Sequence, residues 1–152
     1  MAESIGIVGC GTIGQALLRG ADAGRLQVAI AGVTSRTEST ARAFLSSLSD
    51  PPPYLSREEL IARSTLVVET AGGQVVPELA REVFGAGKGL MVISIGALLD
   101  HPEIIEASRK SGCRLLAPSG AIAGLDGIKS ACAGEVYRVV MVSRKPPQAL
   151  EG

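Results

Sequence analysis

Residues 4–14 read SIGIVGCGTIG, and this stretch decides the fold prediction. Its apolar first half predicts a strand, and from Ile13 onward apolar residues recur at the spacing of one helix face. Gly9, Gly11 and Gly14 stand at the junction in the order GxGxxG. A strand, this glycine pattern and a helix in succession are typical of a unit that binds dinucleotides. The alternative is a glycine-rich turn that binds nothing, and the flanking strand and helix disfavour it.

Each glycine of this loop has a separate physical role in the pattern. The first permits a tight turn, the second lets the backbone approach a diphosphate, and the third allows close packing of the helix on the strand. The start of the helix adds unpaired N–H groups and a positive dipole end, which favour an anion. The sequence therefore predicts a nicotinamide dinucleotide site formed by Gly9, Gly11, Thr12, Ile13 and Gly14.

The end of the second predicted strand, residues 26–33, bears on the choice of cofactor. An acidic residue about 20 positions beyond the glycines usually binds a ribose 2′-hydroxyl of NAD. This chain instead has Thr34, Ser35, Arg36 and Thr37 there. A guanidinium forms charge-assisted, bidentate hydrogen bonds with a phosphate, so Ser35 and Arg36 favour NADP or the use of both cofactors. The alternative is a solvated Arg36 that stacks on adenine, and both interpretations stay open.

Strands and helices alternate along the rest of the chain. Short apolar runs at residues 65–69, 90–95 and 114–117 predict buried strands, and Ser56 with Glu59 predicts a capping box at one of the intervening helices. The apolar fraction is 46% and the aromatic fraction 3%, which suits a core of aliphatic side chains. We expect an α/β fold, a Rossmann-like doubly wound, mainly parallel sheet with helices on both faces. A helix over residues 120–133 and a strand over 136–143 are expected to follow.

The carboxyl ends of the predicted strands are small or polar. A parallel sheet binds its ligand beyond these ends, so we expect the residues there to line the site. The predicted cofactor-binding residues are Ala71, Gly72, Ser94 and Gly96, and the predicted substrate-binding residues are Ser119, Gly120 and Ala121. The first two would border the nicotinamide ribose, and the substrate-binding residues would offer N–H groups to a carboxylate. Ordinary loop chemistry uses the same residue types and stays open for each of them.

Composition and charge exclude several classes of function. Fifteen basic and fifteen acidic residues cancel without a run of like charge, so neither nucleic acid nor a membrane surface is an expected partner. No uncharged run approaches the roughly 20 residues of a membrane-spanning helix. A secretory leader is not expected either, because no Lys or Arg precedes the first apolar run and glycines interrupt it.

The cysteines and the histidine offer little chemistry. Cys10, Cys113 and Cys132 have neither disulfide-framework nor zinc spacing, so we expect no metal site and a reducing, cytoplasmic setting. The single histidine, His101, lies between Asp100 and Pro102. A helix-start role is favoured for it over a catalytic one.

Over nearly its whole length the chain resembles the L-aspartate dehydrogenase family. Residues 116–129, LAPSGAIAGLDGIK, carry the most specific part of this resemblance. The glycine loop, residues 67–72 (VVETAG), residues 94–98 (SIGAL) and residues 143–147 (SRKPP) agree with it. The resemblance implies an NAD(P)-dependent enzyme that oxidises L-aspartate to iminoaspartate, and hence to oxaloacetate and ammonia, in pyridine nucleotide biosynthesis.

The resemblance also sets the expected domain organisation. In the family, a substrate and dimerisation region containing an acid or base histidine follows the strand that here ends near Pro146, whereas this chain stops at Gly152. We therefore expect a dinucleotide-binding Rossmann domain at residues 1–118 and, at 119–152, only the beginning of the substrate region. No catalytic residue is assigned, and a homo-oligomer stays open. The alternatives are a non-catalytic dinucleotide-binding module, a truncated and inactive homologue, or a related reductase acting on another small acid.

Overall fold

The structure is a computed structural model that describes residues 3–118, 132–140, 142 and 144. The chain forms two compact units, residues 1–120 and 121–152, and every described helix and strand lies in the first. The strands are β1 (Ser4–Val8), β2 (Ala29–Thr34), β3 (Leu66–Glu69), β4 (Gly89–Val92) and β5 (Leu115–Leu116). The helices are α1 (Thr12–Asp22), α2 (Glu38–Leu45), α3 (Arg57–Arg63), α4 (Val76–Gly85), α5 (Ala97–Asp100) and α6 (Glu103–Ser111), and a 3₁₀ turn spans Gly73–Val75.

The five strands form one sheet in the order β2-β1-β3-β4-β5, and every pairing is parallel. Tyr54 adds one parallel bridge to Val33, on β2. The three prolines before Tyr54 have no N–H group for a ladder, which limits this sixth element to a bridge. With this bridge included, the strand order matches the doubly wound Rossmann arrangement, in which the order of the strands along the sheet reverses between β1 and β3. The predicted fold is confirmed.

Apolar side chains are buried on both faces of the sheet. On one face, α1 and α2 pack Leu18 and Phe44 in a cluster with Ile7 of β1. On the other face, α3, α4 and α6 pack with Val8, the next residue of the same strand. Neighbouring residues of β1 thus enter opposite clusters, as the alternation of side chains along a strand requires. The members of the second cluster from these helices are Leu60, Ile61, Val76, Leu79, Ala80, Val83, Phe84 and Ile104.

Two strands differ in extent from the sequence prediction. The second strand was predicted to start at residue 26, but Leu26 donates its N–H to the carbonyl of Gly20 at 3.0 Å and closes the end of α1 instead. The fourth strand was predicted to reach residue 95, but β4 ends at Val92. Beyond it, the N–H of Ser94 donates to the side chain of Glu69 at 3.0 Å rather than to a neighbouring strand.

The predicted helix start at residues 100–101 is wrong. The short helix α5 ends at Asp100, and α6 begins at Glu103 with Pro102 at its N-cap. His101 follows the end of α5, its carbonyl accepts the N–H of Ile104 at 3.1 Å, and its Nδ1 lies 3.0 Å from Oε1 of Glu103. It therefore contacts the start of α6, although Pro102 and not His101 is the N-cap. Gly112, in the left-handed region with φ +68°, ends α6 as predicted.

The strand predicted over residues 136–143 is not found in its described part, residues 136–140. A strand requires a hydrogen-bonded neighbour, and among the described residues no strand pairs with this segment. Its side chains remain exposed, among them Tyr137 (86%) and Val140 (66%). The helix predicted over 120–133 lies outside the described residues except for a turn at 132–133. Among the helices that the structure describes, none combines the length and apolarity needed to cross a membrane.

The predicted capping box at α3 is confirmed. The hydroxyl of Ser56 accepts the N–H of Glu59 at 3.2 Å, and Oε2 of Glu59 accepts the N–H of Ser56 at 3.2 Å. A hydrogen bond from the Ser56 hydroxyl to the carboxylate, together with this backbone bond, holds the pKa of Glu59 below its usual range.

Ser56→Ala is expected to lower the free energy of unfolding by about 1 kcal/mol at neutral pH, because an N-terminal N–H of α3 loses its acceptor. The difference should be full above the ordinary pKa of a glutamate and shrink as the pH falls through the lowered pKa of Glu59. Urea unfolding at several pH values measures it. Ser39→Ala, at an exposed position within α2, is the matched control and should cost nothing. Equal stability of Ser56→Ala and the wild type at neutral pH would contradict the role of the capping box.

Candidate functional site

The turn between β1 and α1 is closed by Gly9. Its φ is +107°, a backbone conformation that side chains with a Cβ rarely adopt. A Cβ at this position would also lie 2.7 Å from the carbonyl carbon of Thr70. The N–H of Gly9 donates to the carbonyl of Thr34 at 2.8 Å, which ties the turn to the end of β2. Only glycine satisfies both constraints, as the glycine pattern predicts.

The other two glycines of the loop differ in their surroundings. A Cβ at Gly14 would overlap the carbonyl oxygen of Gly9, so α1 lies directly against the turn. A Cβ at Gly11 would meet nothing within 4 Å, so the backbone there faces open space. One glycine therefore serves packing, and the other leaves room over the loop.

The first turn of α1 offers several N–H groups to a ligand. Gly11 is the N-cap, no side chain caps the helix, and the first helical bond runs from the N–H of Gln15 to the carbonyl of Gly11 at 2.9 Å. The N–H groups of Thr12, Ile13 and Gly14 precede that bond. Together with the positive end of the helix dipole they form an arrangement that suits a diphosphate. The residues present therefore fit a dinucleotide.

Two cavities adjoin this loop, and residues that follow the first three strands line both of them. One, of about 260 Å³, covers the glycines and the start of α2, and the other, of about 380 Å³, extends towards the 3₁₀ turn after β3. Both are lined by Gly9, Ser35, Arg36 and Ala71. The structure thus brings together predicted residues from the loops after β1, β2 and β3, at the edge where a parallel sheet binds ligands.

A larger cavity, of about 570 Å³, lies between α3 and α4. Its lining includes Arg57 and Glu82, whose side chains pair with each other at 3.5 Å. It lacks the glycine loop and the strand ends, so volume alone does not make it the functional site. We place the site in the two smaller cavities, because they adjoin both the start of a helix and the carboxyl ends of strands.

The end of β2 is fixed by a residue that the sequence analysis missed. The hydroxyl of Tyr54 donates to the carbonyl of Ser35 at 2.7 Å, and the guanidinium of Arg42 lies over the Tyr54 ring at 4.8 Å from its centre. Arg36 is exposed and makes no ion pair with any residue that the structure describes. It is therefore free to meet a ligand at this end of the cavity. The proline run before Tyr54 predicted a loop but not this contact.

Arg57 is a second residue that sequence analysis missed. It lines the 380 Å³ cavity together with Gly9 of the glycine loop, and its guanidinium lies 3.1 Å from Oε2 of Glu78. Its position next to the capping box predicted that Arg57 begins α3, but it did not predict that Arg57 lines the cavity.

The end of β3 gathers three of the predicted site residues around one carboxylate. Glu69 is fully buried, and its Oε1 accepts the N–H of Ala71 at 2.6 Å and that of Gly72 at 2.7 Å. Its other oxygen accepts the N–H of Ser94 at 3.0 Å. Glu69 was predicted only as the last residue of a strand, and no local pattern pointed to this network. The predicted cofactor-binding residues that line neither of the two site cavities are Thr12, Ile13, Gly14, Gly72, Ser94 and Gly96. Ser119, Gly120 and Ala121 lie outside the described residues.

Thr70, the residue after this carboxylate, is bonded to the glycine loop. Its hydroxyl donates to the carbonyl of Gly9 at 2.8 Å, and its N–H donates to the carbonyl of Val8 at 2.8 Å. The end of β3 is thus in contact with both the glycine loop and the loops around the buried carboxylate.

Cys10 lies in the glycine loop and lines the smaller cavity. It is buried with Ile7 and Leu18, and burial raises the pKa of its thiol, which disfavours the thiolate. All three cysteines are free thiols. In the described part of the chain, no group of His, Cys, Asp and Glu side chains is arranged to hold a metal ion.

Comparison with known proteins agrees with this geometry. Residues 9–118 match the family model described as "Homoserine dehydrogenase, NAD binding domain". The chain is 38% identical over 152 residues to the L-aspartate dehydrogenase of Methanosarcina mazei, a match that covers 97% of this chain and 56% of that protein. It is 36% identical to L-aspartate dehydrogenase 3 of Bordetella bronchiseptica, with coverage of 97% and 55%. The chain therefore spans about half the length of these curated relatives, and the predicted resemblance is confirmed.

Solved structures show the same fold at low sequence identity. A homoserine dehydrogenase from Thiobacillus denitrificans superposes with a TM-score of 0.66 at 22% identity, over 86% of this chain and 32% of that chain. The WlbA dehydrogenase from Bordetella pertussis, solved in complex with NADH and UDP-GlcNAcA, gives 0.68 at 20% identity, over 88% and 43%. At these identities the likeness concerns the fold alone.

The two inner glycines of the loop should respond differently to alanine. Gly14→Ala places a methyl group against the carbonyl of Gly9 and is expected to cost about 1–3 kcal/mol of stability. Gly11→Ala meets no protein atom and should cost less than about 1 kcal/mol, yet weaken NADH because its methyl group occupies the space above the loop. Urea unfolding and calorimetric titration with NADH measure the two effects. Wild-type affinity in Gly11→Ala would contradict the placement of the diphosphate.

Proposed function

This chain belongs to the family of the homoserine dehydrogenase NAD-binding domain, and from that premise we propose that it is the cofactor-binding part of an NAD(P)-dependent L-aspartate dehydrogenase. The observation that carries the proposal is the uncapped start of α1 at Gly11, a residue that lines a cavity at the carboxyl ends of parallel strands. The L-aspartate dehydrogenase relatives support the choice of substrate.

The residues of this chain have separate tasks in the proposed site. The N–H groups of Thr12, Ile13 and Gly14 bind the diphosphate charge, and the bare backbone of Gly11 leaves room for it. Ser35 and Arg36 lie where a ribose 2′-hydroxyl or 2′-phosphate is recognised in this fold. The adenosine half of the cofactor is thus assigned to the loops after β1 and β2.

The proposed reaction removes two electrons from L-aspartate. A hydride leaves the α-carbon and the amine loses a proton, which gives iminoaspartate, and water then releases ammonia and oxaloacetate. The bound cofactor supplies the hydride acceptor. We propose that Ser119, Gly120 and Ala121 present N–H groups to a substrate carboxylate, and that residues 119–152 begin a substrate and dimerisation region. This chemistry would serve pyridine nucleotide biosynthesis in a homo-oligomeric enzyme.

A second candidate function is a dinucleotide-binding module without catalysis. It is favoured by the composition of the two site cavities, because their described lining contains no His, Asp, Glu or Lys that would accept the amine proton. The only histidine is half-exposed and paired with Glu103. This candidate predicts cofactor binding with no turnover of any amino acid.

An absorbance assay for reduced cofactor separates the candidates. The chain is tested alone and joined to the part of the Methanosarcina mazei relative that the match does not cover, with NAD or NADP and with L-aspartate, L-homoserine or L-glutamate. The proposed function predicts that both forms bind cofactor, that reduced cofactor forms with L-aspartate only in the joined form, and that Gly11→Ala lowers that rate. Turnover of L-homoserine instead would overturn the substrate, and NADH binding without turnover of any amino acid by the joined form would favour the non-catalytic module.

Arg36→Ala should weaken NADP by about tenfold or more and leave NAD within about twofold, because only NADP loses a charge-assisted hydrogen bond of about 1.5–3 kcal/mol. Arg36→Lys is the graded control, since it keeps the charge and loses the bidentate geometry. Calorimetric titration of each variant with both cofactors gives the ratios. An equal loss of affinity for NAD and NADP would mean that Arg36 stacks on adenine and does not bind the 2′-phosphate.

A further inference from the structure

The carboxylate of Glu69 is buried without a cation. Its exposed fraction is 0%, and none of the ion pairs among the described residues includes it. Four hydrogen bonds hold it instead, from the N–H groups of Ala71, Gly72 and Ser94 and from the Ser94 hydroxyl, which donates to Oε1 at 3.1 Å. An ionised carboxylate is costly to bury, and this complete set of donors is what offsets the cost.

These four bonds connect two loops that leave the sheet side by side. Ala71 and Gly72 follow β3, Ser94 follows β4, and the register of the two strands places Glu69 beside Val92. Gly72 turns its loop with φ +111°, so its N–H points back to the carboxylate in a conformation that favours glycine. One side chain thus sets the position of both loops relative to each other.

The two loops follow β3 and β4, which lie on the other side of β1 from β2 and its adenosine determinants, and Ala71 also lines both site cavities together with Ser35 and Arg36. Strand order reverses between β1 and β3, and a dinucleotide lies across the crevice at that point. Ser35 and Arg36, after β2, mark the adenosine side. The loops after β3 and β4 therefore face the other nucleotide, which carries the nicotinamide.

We propose that Glu69 is a positioning residue for the nicotinamide half of the cofactor. The proposal rests on the proposed function. The carboxylate holds the loops at Ala71–Gly72 and Ser94 in the one arrangement that seats the nicotinamide nucleotide, and it does not touch the diphosphate. The next residue, Thr70, has the complementary task, because its hydroxyl holds the carbonyl of Gly9 in the diphosphate loop.

Glu69→Gln isolates the role of the carboxylate without changing its size. The amide keeps one oxygen for Ala71 and Gly72, but its NH₂ group then faces the N–H of Ser94, which is also a donor. The N–H of Ser94 loses its acceptor while the Ser94 hydroxyl keeps its own, and the Ser94 loop is expected to shift. Ser94→Ala is a milder companion, since it removes only the hydroxyl bond to Oε1.

The test compares ADP, which ends at the diphosphate, with NADH, which adds the nicotinamide and its ribose. Calorimetry of the full chain gives affinities for both ligands. Glu69→Gln is expected to weaken NADH by about tenfold and ADP by less than about twofold, since one charge-assisted acceptor is lost on the nicotinamide side only. Ser94→Ala should show the same selectivity at about threefold. Thr70→Val, the matched control, should weaken both ligands alike because it loosens the diphosphate loop.

The outcomes separate this proposal from the function it rests on. Suppose that the wild-type chain binds both ligands, and that Glu69→Gln weakens both equally or leaves both affinities unchanged. Glu69 is then structural only, and the proposal is overturned while the cofactor site stands. If the wild-type chain binds neither ligand, the proposed function fails and the proposal fails with it. Should Glu69→Gln not fold, Ser94→Ala decides, and equal effects on ADP and NADH would overturn the proposal.

Discussion

The close approach of α1 to the carbonyl of Gly9 is the constraint on which the rest of the site depends. A Cβ at Gly14 would overlap that oxygen, and one at Gly9 would meet the backbone of Thr70. The strand can pass directly into the helix only where both positions lack side chains. The N–H groups of the first turn of α1 are then left without a capping side chain, next to the ends of the strands. Packing and anion binding thus follow from the same glycines.

Two adjacent residues at the end of β3 extend this constraint to the whole crevice. Thr70 bonds to the glycine loop, and Glu69 bonds to the loops after β3 and β4. The sheet supplies the rigidity, because Val67 and Val68 are buried on opposite faces between the two layers of helices. The loops after β1, β3 and β4 are therefore held by hydrogen bonds to the end of a buried strand.

Local patterns were sufficient to predict the glycine loop, the capping box and the α/β order, because each depends on residues close together in the chain. The network around Glu69 could not be predicted in this way, since Ser94 lies 25 positions away and its hydrogen bond arises only when β3 and β4 pair. The same bond explains why β4 ends early. The apolar-rich segment 136–143 predicted a strand, but a strand forms only with a neighbour that the pattern itself does not supply.

The most direct test of the account is to follow the backbone amide resonances of this 15.6 kDa chain during a titration with NADH. If the first turn of α1 grips the diphosphate, the amide signals of Gly11, Thr12, Ile13 and Gly14 should shift most and saturate together, while those of α6 stay in place. Unchanged signals for these four residues at a saturating concentration of NADH would contradict the central claim.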